Sequence, residues 1–364
     1  MSGKRALIVA GGTGGHMFPA RAAAEALVAR GWTVRLVTDS RGSRHASGFP
    51  GEAPEIIKAA TPFVKNPLQL AKNLARLSRG VGAARRLVKR FEPDVVAGFG
   101  GYVAFPALTA ARLAGVPIVL HEQNAVLGRV NRVFAGAAAA VASGFDRLDR
   151  APKRAPHVVT GNPVRSGVLA ARETAYAPPA DDGEIRLLVI GGSLGARILS
   201  EGVPEAVASL PEDLRARLRV AQQTRTESLE TARRLYADAG VRAECEPFFE
   251  DMGARYADAH LVIARAGAST VAELAAIGRP AVLVPLAIAM DDHQTANAAA
   301  LADPGGAVVI DERAFDAAAL SARLETLLRD GKSLGDRAAA ARAAGRPDAH
   351  EALADLVESA ARER

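Results

Sequence analysis

The sequence of 364 residues contains a single cysteine, Cys245, so no intrachain disulfide can form. No apolar run reaches the ~18–20 residues that a membrane-spanning helix needs. The N-terminal run Ala6–Ala10 is shorter than the apolar core of a signal peptide. We therefore expect a protein of a reducing cytosol, whose contact with any membrane is peripheral.

Motifs that bind metals are also missing. The sequence has no Asp-x-Asp that could hold a metal–diphosphate pair. Its HEQN segment, at residues 121–124, lacks the second histidine of a zinc-binding HExxH. We expect neither a metal site nor a resident cofactor.

Charge is distributed unevenly, although the formal net charge is only +6. Residues 1–161 contain 23 basic and 9 acidic side chains, whereas residues 162–364 contain 23 basic and 31 acidic ones. The first part therefore suits an anionic partner and the second does not.

Two similar patterns divide the chain. The apolar run Ala6–Ala10 precedes the glycine loop Gly11–His16, and Ile185–Ile190 precedes the glycine loop Gly191–Ala196. Apolar runs that alternate with helical patterns predict α/β domains with parallel sheets. We expect domains at 1–163 and 164–340, with a C-terminal helix at about 341–364 that could pack back on the first. The other predicted strands are Thr33–Thr38, Asp94–Ala97, Pro117–Leu120, Ala138–Ala142, His157–Thr160, Arg219–Gln222, His260–Ala264, Ala281–Pro285 and Ala307–Ile310.

The loop Gly11–His16 is a candidate anion site. Glycines let backbone N–H groups approach an anion, and the N-terminus of the next helix, which we expect to open at Pro19, adds a positive dipole end. The alternatives are a tight packing turn and a dinucleotide site, for which Asp39 would be the ribose-binding acid. At the N-terminus of this helix the dipole favours a neutral imidazole for His16, as a general base requires. The ordinary role of a histidine at such a position is capping or packing.

A second glycine loop, Gly98–Gly101, also follows an apolar strand and precedes a helix. We expect it to lie beside the first at one sheet edge, unless it is only another strand–helix turn. The segment His121–Asn124 follows the strand Pro117–Leu120. Four polar residues at the carboxyl end of a strand are typical of a binding cleft.

The second half has its own phosphate-binding candidates. Ser193 lies in the glycine loop Gly191–Ala196, and Gly267 precedes a helix that Ser269 or Thr270 could cap. Glu273 could accept both hydroxyls of a ribose, or it could be the acid of a capping box.

The segment Ala59–Phe91 contains no acidic residue. Its apolar residues recur at helical spacing, which predicts a basic amphipathic helix, broken at Gly80 or Gly82. It could lie on an anionic membrane surface, or be an ordinary helix with solvated charges. Its few aromatics disfavour nucleic acid as a partner. The basic side chains are Lys65, Lys72, Arg76, Arg79, Arg85, Arg86, Lys89 and Arg90.

Seven motifs in this order resemble the MurG-type N-acetylglucosaminyltransferases of peptidoglycan synthesis. They are GGTGGHMFPA, GFGGYVAFP, HEQN, GNPVR, GGSLGA, RAGASTVAELAAIGRPAVLVP and HQTANA. The resemblance runs from about Ala6 to past Asn297. It implies the GT-B fold, in which two Rossmann-like domains face each other across a cleft.

The resemblance also implies an activity. It is the inverting transfer of GlcNAc from UDP-GlcNAc to the C4 hydroxyl of the muramoyl sugar of lipid I, which gives lipid II and UDP. The protein would work at the cytoplasmic face of the bacterial inner membrane, with cell-wall synthesis proteins as possible partners. There are two competing interpretations. One is another GT-B enzyme that acts on a soluble acceptor or on a UDP-sugar, and the other is a membrane-surface or dinucleotide-binding module that is not a transferase.

The resemblance implies roles for individual residues. His16 matches the general base, with Glu122 as the alternative, and Gly100, Gly101 and Tyr102 belong to loops for the acceptor pyrophosphate. The implied UDP-GlcNAc contacts are Thr13, Gly14, Gly15, Asn124, Arg165, Ser193, Phe249, Ala268, Ser269, Thr270, Val271, Ala272, Glu273 and Gln294.

Overall fold

The computed structural model describes residues 3–61, 64, 66–192 and 195–363, and of Met290 only the backbone. The chain divides into two compact units. Unit 1 comprises Met1–Arg165 and Asp348–Arg364, and unit 2 comprises Ser166–Pro347. Among the described residues, no helix combines the length and the apolar character needed to cross a membrane.

Unit 1 contains a seven-stranded parallel sheet in the order β3-β2-β1-β4-β5-β6-β7. Its strands are β1 (Arg5–Val9), β2 (Thr33–Thr38), β3 (Glu52–Ile56), β4 (Val95–Gly98), β5 (Ile118–Glu122), β6 (Ala140–Ser143) and β7 (His157–Val159). Its helices are α1 (Gly14–Ala29), α2 (Pro67–Phe91), α3 (Ala104–Leu113) and α4 (Arg129–Ala135), with the last helix of the chain, α14 (Ala349–Ala360).

Unit 2 contains a six-stranded parallel sheet in the order β10-β9-β8-β11-β12-β13. Its strands are β8 (Ile185–Ile190), β9 (Leu218–Gln223), β10 (Arg242–Glu246), β11 (Leu261–Ala264), β12 (Ala281–Leu283) and β13 (Ala307–Val309). Its helices are α5 (Ser166–Leu169), α6 (Arg197–Ala208), α7 (Glu212–Arg215), α8 (Leu229–Asp238), α9 (Met252–Asp258), α10 (Ala268–Ile277), α11 (His293–Ala302), α12 (Ala317–Leu328) and α13 (Gly331–Ala344). Short 3-10 helices cover Gly42–His45, Ala170–Glu173, Thr226–Ser228, Met290–Asp292 and Glu312–Ala314.

The sheet of unit 1 is buried on both faces, which explains the continuous apolar run of β1. Leu7 and Val9 pack in a cluster with residues of α2 and α3. Ala6 and Ile8 belong to the opposite cluster, which residues of α1 and α14 complete. Alternate side chains of one strand thus enter two different cores.

The predicted C-terminal helix at about 341–364 has the wrong bounds, because α13 ends at Ala344 and a separate helix, α14, spans Ala349–Ala360. Gly345 lies against the backbone of α10, where a Cβ would come within 2.3 Å of the carbonyl oxygen of Ala275, and Pro347 follows it. After this break α14 packs on α1. Trp32 Nε1 donates to Glu358 at 2.6 Å, and Arg30 forms an ion pair with Asp355 at 2.7 Å.

Two further helix predictions need correction. Helix α1 begins at Gly14 rather than Pro19, because Gly12, with φ of 86°, turns the chain immediately after β1. Helix α2 is continuous from Pro67 to Phe91 and is broken at neither Gly80 nor Gly82. Gly80 instead lets α2 approach Lys58, where a Cβ would lie 2.8 Å from the carbonyl oxygen.

Candidate functional site

The two glycine loops of unit 1 lie side by side, as predicted. They follow β1 and β4, which are neighbours at the point where the strand order reverses, the usual ligand site of such sheets. Their backbones touch, since a Cβ on Gly101, where φ is 79°, would come within 2.8 Å of the carbonyl oxygen of Gly11.

His16 lies beside these two glycine loops. It lies in the first turn of α1, whose N-cap residue Thr13 makes no side-chain capping hydrogen bond. Its half-buried ring packs on Gly100, where a Cβ would lie 3.1 Å from Cε1 of His16. Its Nδ1 is 3.0 Å from Oε1 of Gln123.

Strand β5 runs two residues further than predicted and ends at Glu122, so His121 and Glu122 belong to the sheet. His121 is 1% exposed, and its Nε2 lies 3.1 Å from the carbonyl oxygen of Gly161. Burial lowers the pKa of His121 to about 4, against the opposing effect of that hydrogen bond, and the positive charge of a protonated His16 lowers it further. This ring is therefore neutral near pH 7.

Glu122 is buried and fully engaged in hydrogen bonds. Its Oε1 accepts from the backbone N–H and the side-chain amide of Asn124, at 3.1 and 3.2 Å. Its Oε2 accepts from Gly128 N–H at 2.8 Å and from Asn131 Nδ2 at 2.9 Å. Glu122 thus stabilises the loop that carries Asn124, and the geometry favours His16 over Glu122 as a base.

Asp39, which would be the ribose-binding acid of a dinucleotide site, accepts hydrogen bonds from neighbouring residues instead. Its Oδ1 accepts from the N–H groups of Gly12, Arg41 and Gly42, and its Oδ2 from the Arg41 guanidinium at 3.0 Å. Burial alone would raise the pKa of Asp39, but these hydrogen bonds outweigh burial and lower it. This carboxylate stabilises the first glycine loop, so the structure does not favour a dinucleotide site.

Other candidates of unit 1 lie close to the same loops. The Arg165 guanidinium stacks on the Phe18 ring, with 4.6 Å from Cζ to the ring centroid, and that ring lies against Gly14. Tyr102 is half-buried at the edge of the cluster under α3. Sequence reasoning missed Asn162, which is 3% exposed and whose two amide atoms have no hydrogen-bond partner in the described part of the chain.

Unit 2 repeats the arrangement where its own strand order reverses, between β8 and β11. The loop after β8 is held by Gln223, which accepts from Gly191 N–H at 3.0 Å and donates to the Gly192 carbonyl at 3.1 Å. Ser193 lies outside the described residues. Phe249, on the turn after β10, is 4% exposed beneath the Arg255 guanidinium.

The helix after β11 begins without a capping side chain. Its N-cap is Gly267 and its first residue is Ala268, so the prediction that Ser269 or Thr270 caps it is wrong. These residues lie inside the first turn, because the cap position itself falls on a glycine. Ser269 Oγ is buried and has no hydrogen-bond partner among the described residues. Such a helix N-terminus offers N–H groups and a hydroxyl to an anion.

Glu273 is not a capping-box acid. A capping box needs the acid three residues after the cap, whereas Glu273 follows Gly267 by six. Its carboxylate is 4% exposed, and Oε2 accepts from the Tyr256 hydroxyl at 3.1 Å. Tyr256 therefore orients Glu273 within unit 2.

Gln294 and Asn297 have different environments on α11. Gln294 is half-buried, and its Oε1 accepts from Leu286 N–H at 3.0 Å. Asn297 is fully buried and donates to the carbonyl of Ala266 at 3.1 Å, so it supports the loop before α10.

The basic residues of α2 form an exposed ridge. Lys72, Arg76, Arg79, Arg85, Arg86, Lys89 and Arg90 are all exposed. Leu68 and Leu74 on the same helix are 75% and 52% exposed, while Leu77, Leu87 and Phe91 enter the core. Arg90 forms an ion pair with Glu55 at 3.0 Å. Lys65 lies outside the described residues.

The described residues show no cluster of three or more His, Cys, Asp or Glu side chains that could hold a metal ion. Cys245 is 2% exposed on β10, and burial raises the pKa of its thiol.

Comparison with known proteins decides the family. Residues 6–143 match the glycosyltransferase family 28 N-terminal domain, and residues 186–353 match the C-terminal domain of the same family. The chain belongs to glycosyltransferase family 28. Family 28 enzymes transfer sugars, and the two α/β units are those of the GT-B fold.

Individual members of family 28 are similar over nearly the whole chain. A UDP-N-acetylglucosamine--N-acetylmuramyl-(pentapeptide) pyrophosphoryl-undecaprenol N-acetylglucosamine transferase of Maricaulis maris is 59% identical over 360 residues, covering 98% of each chain. The protein of the same name from Phenylobacterium zucineum is 51% identical, covering 99% of this chain and 100% of its own. The crystal structure of Acinetobacter baumannii MurG matches with a TM-score of 0.77 at 34% identity, covering 98% of this chain and 99% of that one.

Proposed function

We propose that this chain transfers GlcNAc from UDP-GlcNAc to the C4 hydroxyl of MurNAc in undecaprenyl-pyrophosphoryl-MurNAc-peptide, releasing UDP. The observation that carries the proposal is the 59% identity, across nearly the whole of both chains, to a relative named for this reaction. In both sheets a glycine loop also follows a strand at the point where the strand order reverses, where open α/β sheets usually bind phosphate-bearing ligands.

The donor nucleotide binds at the strand-order reversal of unit 2. The uncapped N-terminus of α10 and the buried Ser269 hydroxyl support a diphosphate site there. Glu273, oriented by Tyr256, accepts the ribose hydroxyls, and Gln294 presents its amide to the GlcNAc. The remaining donor contacts of unit 2 are assigned to Ser193, the backbone of Phe249, Ala268, Thr270, Val271 and Ala272.

His16 is the general base of an inverting displacement. Its Nε2 takes the proton of the acceptor C4 hydroxyl as that oxygen bonds to C1 of GlcNAc. The bond from C1 to the UDP oxygen breaks on the opposite face, and UDP leaves with the electron pair. Backbone N–H groups at helix N-termini stabilise the charge that develops on UDP.

The two glycine loops of unit 1 bind oxygen-rich parts of the substrates. Gly100, Gly101 and Tyr102 are assigned to the acceptor pyrophosphate, because a loop of glycines with positive φ lets an anion approach its backbone N–H groups. Asn124, fixed by Glu122, and Arg165, stacked on Phe18, are assigned to the donor together with Thr13, Gly14 and Gly15.

The decisive experiment is a single incubation with UDP-GlcNAc and a lipid I analogue, scored for the disaccharide product and for released UDP. We expect equimolar disaccharide and UDP. Turnover with a soluble muramoyl acceptor that lacks the lipid would favour the alternative of a soluble-acceptor enzyme. Intact UDP-GlcNAc after prolonged incubation would overturn the proposal.

The ridge on α2 is proposed to contact anionic lipid headgroups at the cytoplasmic face of the inner membrane. Its cations and the exposed Leu68 and Leu74 form a combination that suits a membrane interface. Arg85, Arg86 and Lys89 also line an open cavity of about 670 Å³ together with Arg362. Such a surface would hold the enzyme near a lipid-linked acceptor and other cell-wall synthesis proteins.

A further inference from the structure

Four groups of unit 1 form one continuous chain of hydrogen bonds that ends at His16. The Gly161 carbonyl lies 3.1 Å from His121 Nε2, and His121 Nδ1 lies 3.1 Å from Gln123 Nε2. The Oε1 of Gln123 then lies 3.0 Å from His16 Nδ1. The assigned roles of His16 and Glu122 leave Gln123 and His121 without a function.

The orientation of the Gln123 amide is fixed by its surroundings. Its nitrogen also lies 3.3 Å from the backbone carbonyl of His121, which can only accept a hydrogen bond. Reversing the amide would bring two carbonyl-type oxygens together in a buried place, because Gln123 is 1% exposed. The Oε1 atom therefore faces His16, and as an acceptor it requires a proton on His16 Nδ1.

The Gly161 end of this chain of hydrogen bonds requires the same order of donors and acceptors. The Gly161 carbonyl requires a proton on His121 Nε2, so the Nδ1 of a neutral His121 is an acceptor. His121 is neutral near pH 7 because burial lowers its pKa to about 4. The backbone carbonyls of Gly161 and His121 thus each independently fix the order of donors and acceptors that leads to His16.

We propose that Gln123 and His121 are positioning residues that hold His16 in the tautomer with its proton on Nδ1, leaving the Nε2 lone pair for the acceptor hydroxyl. The role of this tautomer in catalysis rests on the proposed function, whereas the tautomer itself does not. In the described part of the chain, the only hydrogen bond of the His16 ring is through Nδ1. The neutral amide of Gln123 fixes the ring through a hydrogen bond and places no negative charge beside it.

The tautomers can be read directly by long-range ¹H–¹⁵N correlation on the full-length protein at pH 7.5. We expect opposite tautomers for the two histidines, with an unprotonated Nε2 in His16 and an unprotonated Nδ1 in His121. The His16→Asn and His121→Asn variants assign the signals. An unprotonated Nδ1 in His16 of the wild type would overturn the proposal.

The Gln123→Met variant removes both polar atoms and keeps a side chain of similar length. We expect His16 to populate both tautomers and kcat to fall about 10- to 100-fold, as when the outer partner of an oriented histidine is lost. The KM for UDP-GlcNAc should stay within about twofold. Gln69→Met, on the exposed side of α2, is the matched control. A raised KM with unchanged kcat and tautomer would contradict a positioning role.

The Gln123→Glu variant tests whether the side chain at position 123 contacts Nδ1 of His16. A carboxylate beside Nδ1–H stabilises the imidazolium, so we expect the acidic limb of the kcat–pH profile to move up by at least about one unit. A side chain that does not contact Nδ1 of His16 would leave that limb in place, and this result would count against the proposal. The wild-type tautomer is readable without turnover, so failure of this proposal is distinguishable from failure of the proposed transferase activity.

Discussion

At the scale of single residues, we expect substitutions in the two units to change different kinetic constants, kcat in unit 1 and KM in unit 2. His16→Ala removes the proposed base, so kcat should fall about 10²- to 10⁴-fold with the KM for UDP-GlcNAc nearly unchanged. Glu273→Gln keeps an acceptor for the Tyr256 hydroxyl but loses the carboxylate, so this KM should rise about 10- to 100-fold. Steady-state kinetics on both variants tests the assignment, and a purely donor-binding defect in His16→Ala would refute the base.

His260 gives unit 2 a pH-dependent stability. It is 6% exposed immediately before β11, and burial, then the charge of Arg186, lowers its pKa to about 4. The unfolded chain, with a pKa near 6.5, takes up a proton first, so the folded state loses stability as the pH falls from about 6.5 toward 4. Its Nδ1 accepts from Arg186 N–H at 3.1 Å.

The His260→Asn variant keeps an acceptor near that position but does not titrate. From pH 7 to pH 5, the free energy of unfolding of the wild type should fall about 2 kcal/mol more than that of the variant. Urea unfolding at both pH values measures the difference. Identical pH dependence in the two proteins would show that His260 does not titrate differently on unfolding.

At the scale of elements, the two glycines of α2 should respond oppositely to alanine. A Cβ on Gly82 would meet only Arg86 Nη1, at 3.8 Å, so Gly82→Ala should stabilise unit 1 by about 0.5–1 kcal/mol. A Cβ on Gly80 would clash with the Lys58 carbonyl, so Gly80→Ala should destabilise unit 1 by about 1–3 kcal/mol. Thermal unfolding compares the pair, and two shifts of the same sign would contradict this packing.

The sequence predicts strands well where both faces of the sheet are buried. Strands β1 and β8 are apolar except for Arg5 and Arg186, because their other side chains enter cores on both faces of the sheet. Strands β3 and β10 have no such run, since they form sheet edges and most of their side chains are exposed. Their pairing depends on backbone hydrogen bonds to the neighbouring strand, which leave little trace in the composition.

The candidate site is predictable only in part, for a similar reason. The glycine loops and His16 are visible because each follows a strand in the sequence. The contact between His16 and Gln123 joins residues 107 positions apart, and only the strand order brings them together. The capping roles of Ser269 and Thr270 were wrong because helix α10 begins one residue before Ser269, on a glycine cap.

At the scale of the whole molecule, charge separates between the two units. Unit 1 holds 26 basic and 14 acidic side chains, and unit 2 holds 20 basic and 26 acidic ones. Because α14 belongs to unit 1, the charge difference between the units is smaller than the difference between residues 1–161 and 162–364, but it remains. Electrostatic attraction to an anionic surface therefore acts mainly on unit 1.

Binding to anionic vesicles should depend on salt and on the α2 ridge. Reversing Arg85, Arg86, Lys89 and Arg90 to glutamate should weaken binding at least about tenfold, and salt should weaken wild-type binding. The matched control reverses four exposed arginines of unit 2, Arg219, Arg234, Arg313 and Arg323. Co-sedimentation measures both, and equal losses in the two variants would mean that only net charge matters.

The chain enters unit 2 after Arg165 and returns to unit 1 at Asp348, and this path has a consequence for biosynthesis. Leu353, Ala354 and Val357 of α14 complete the core that Ala6 and Ile8 begin. Residues 1–165 are synthesised before α14, so this part cannot bury the outer face of α1 until α14 has also been translated. The unit that is synthesised first is thus the last to be finished, and unit 2 is the one that can complete its fold while translation continues.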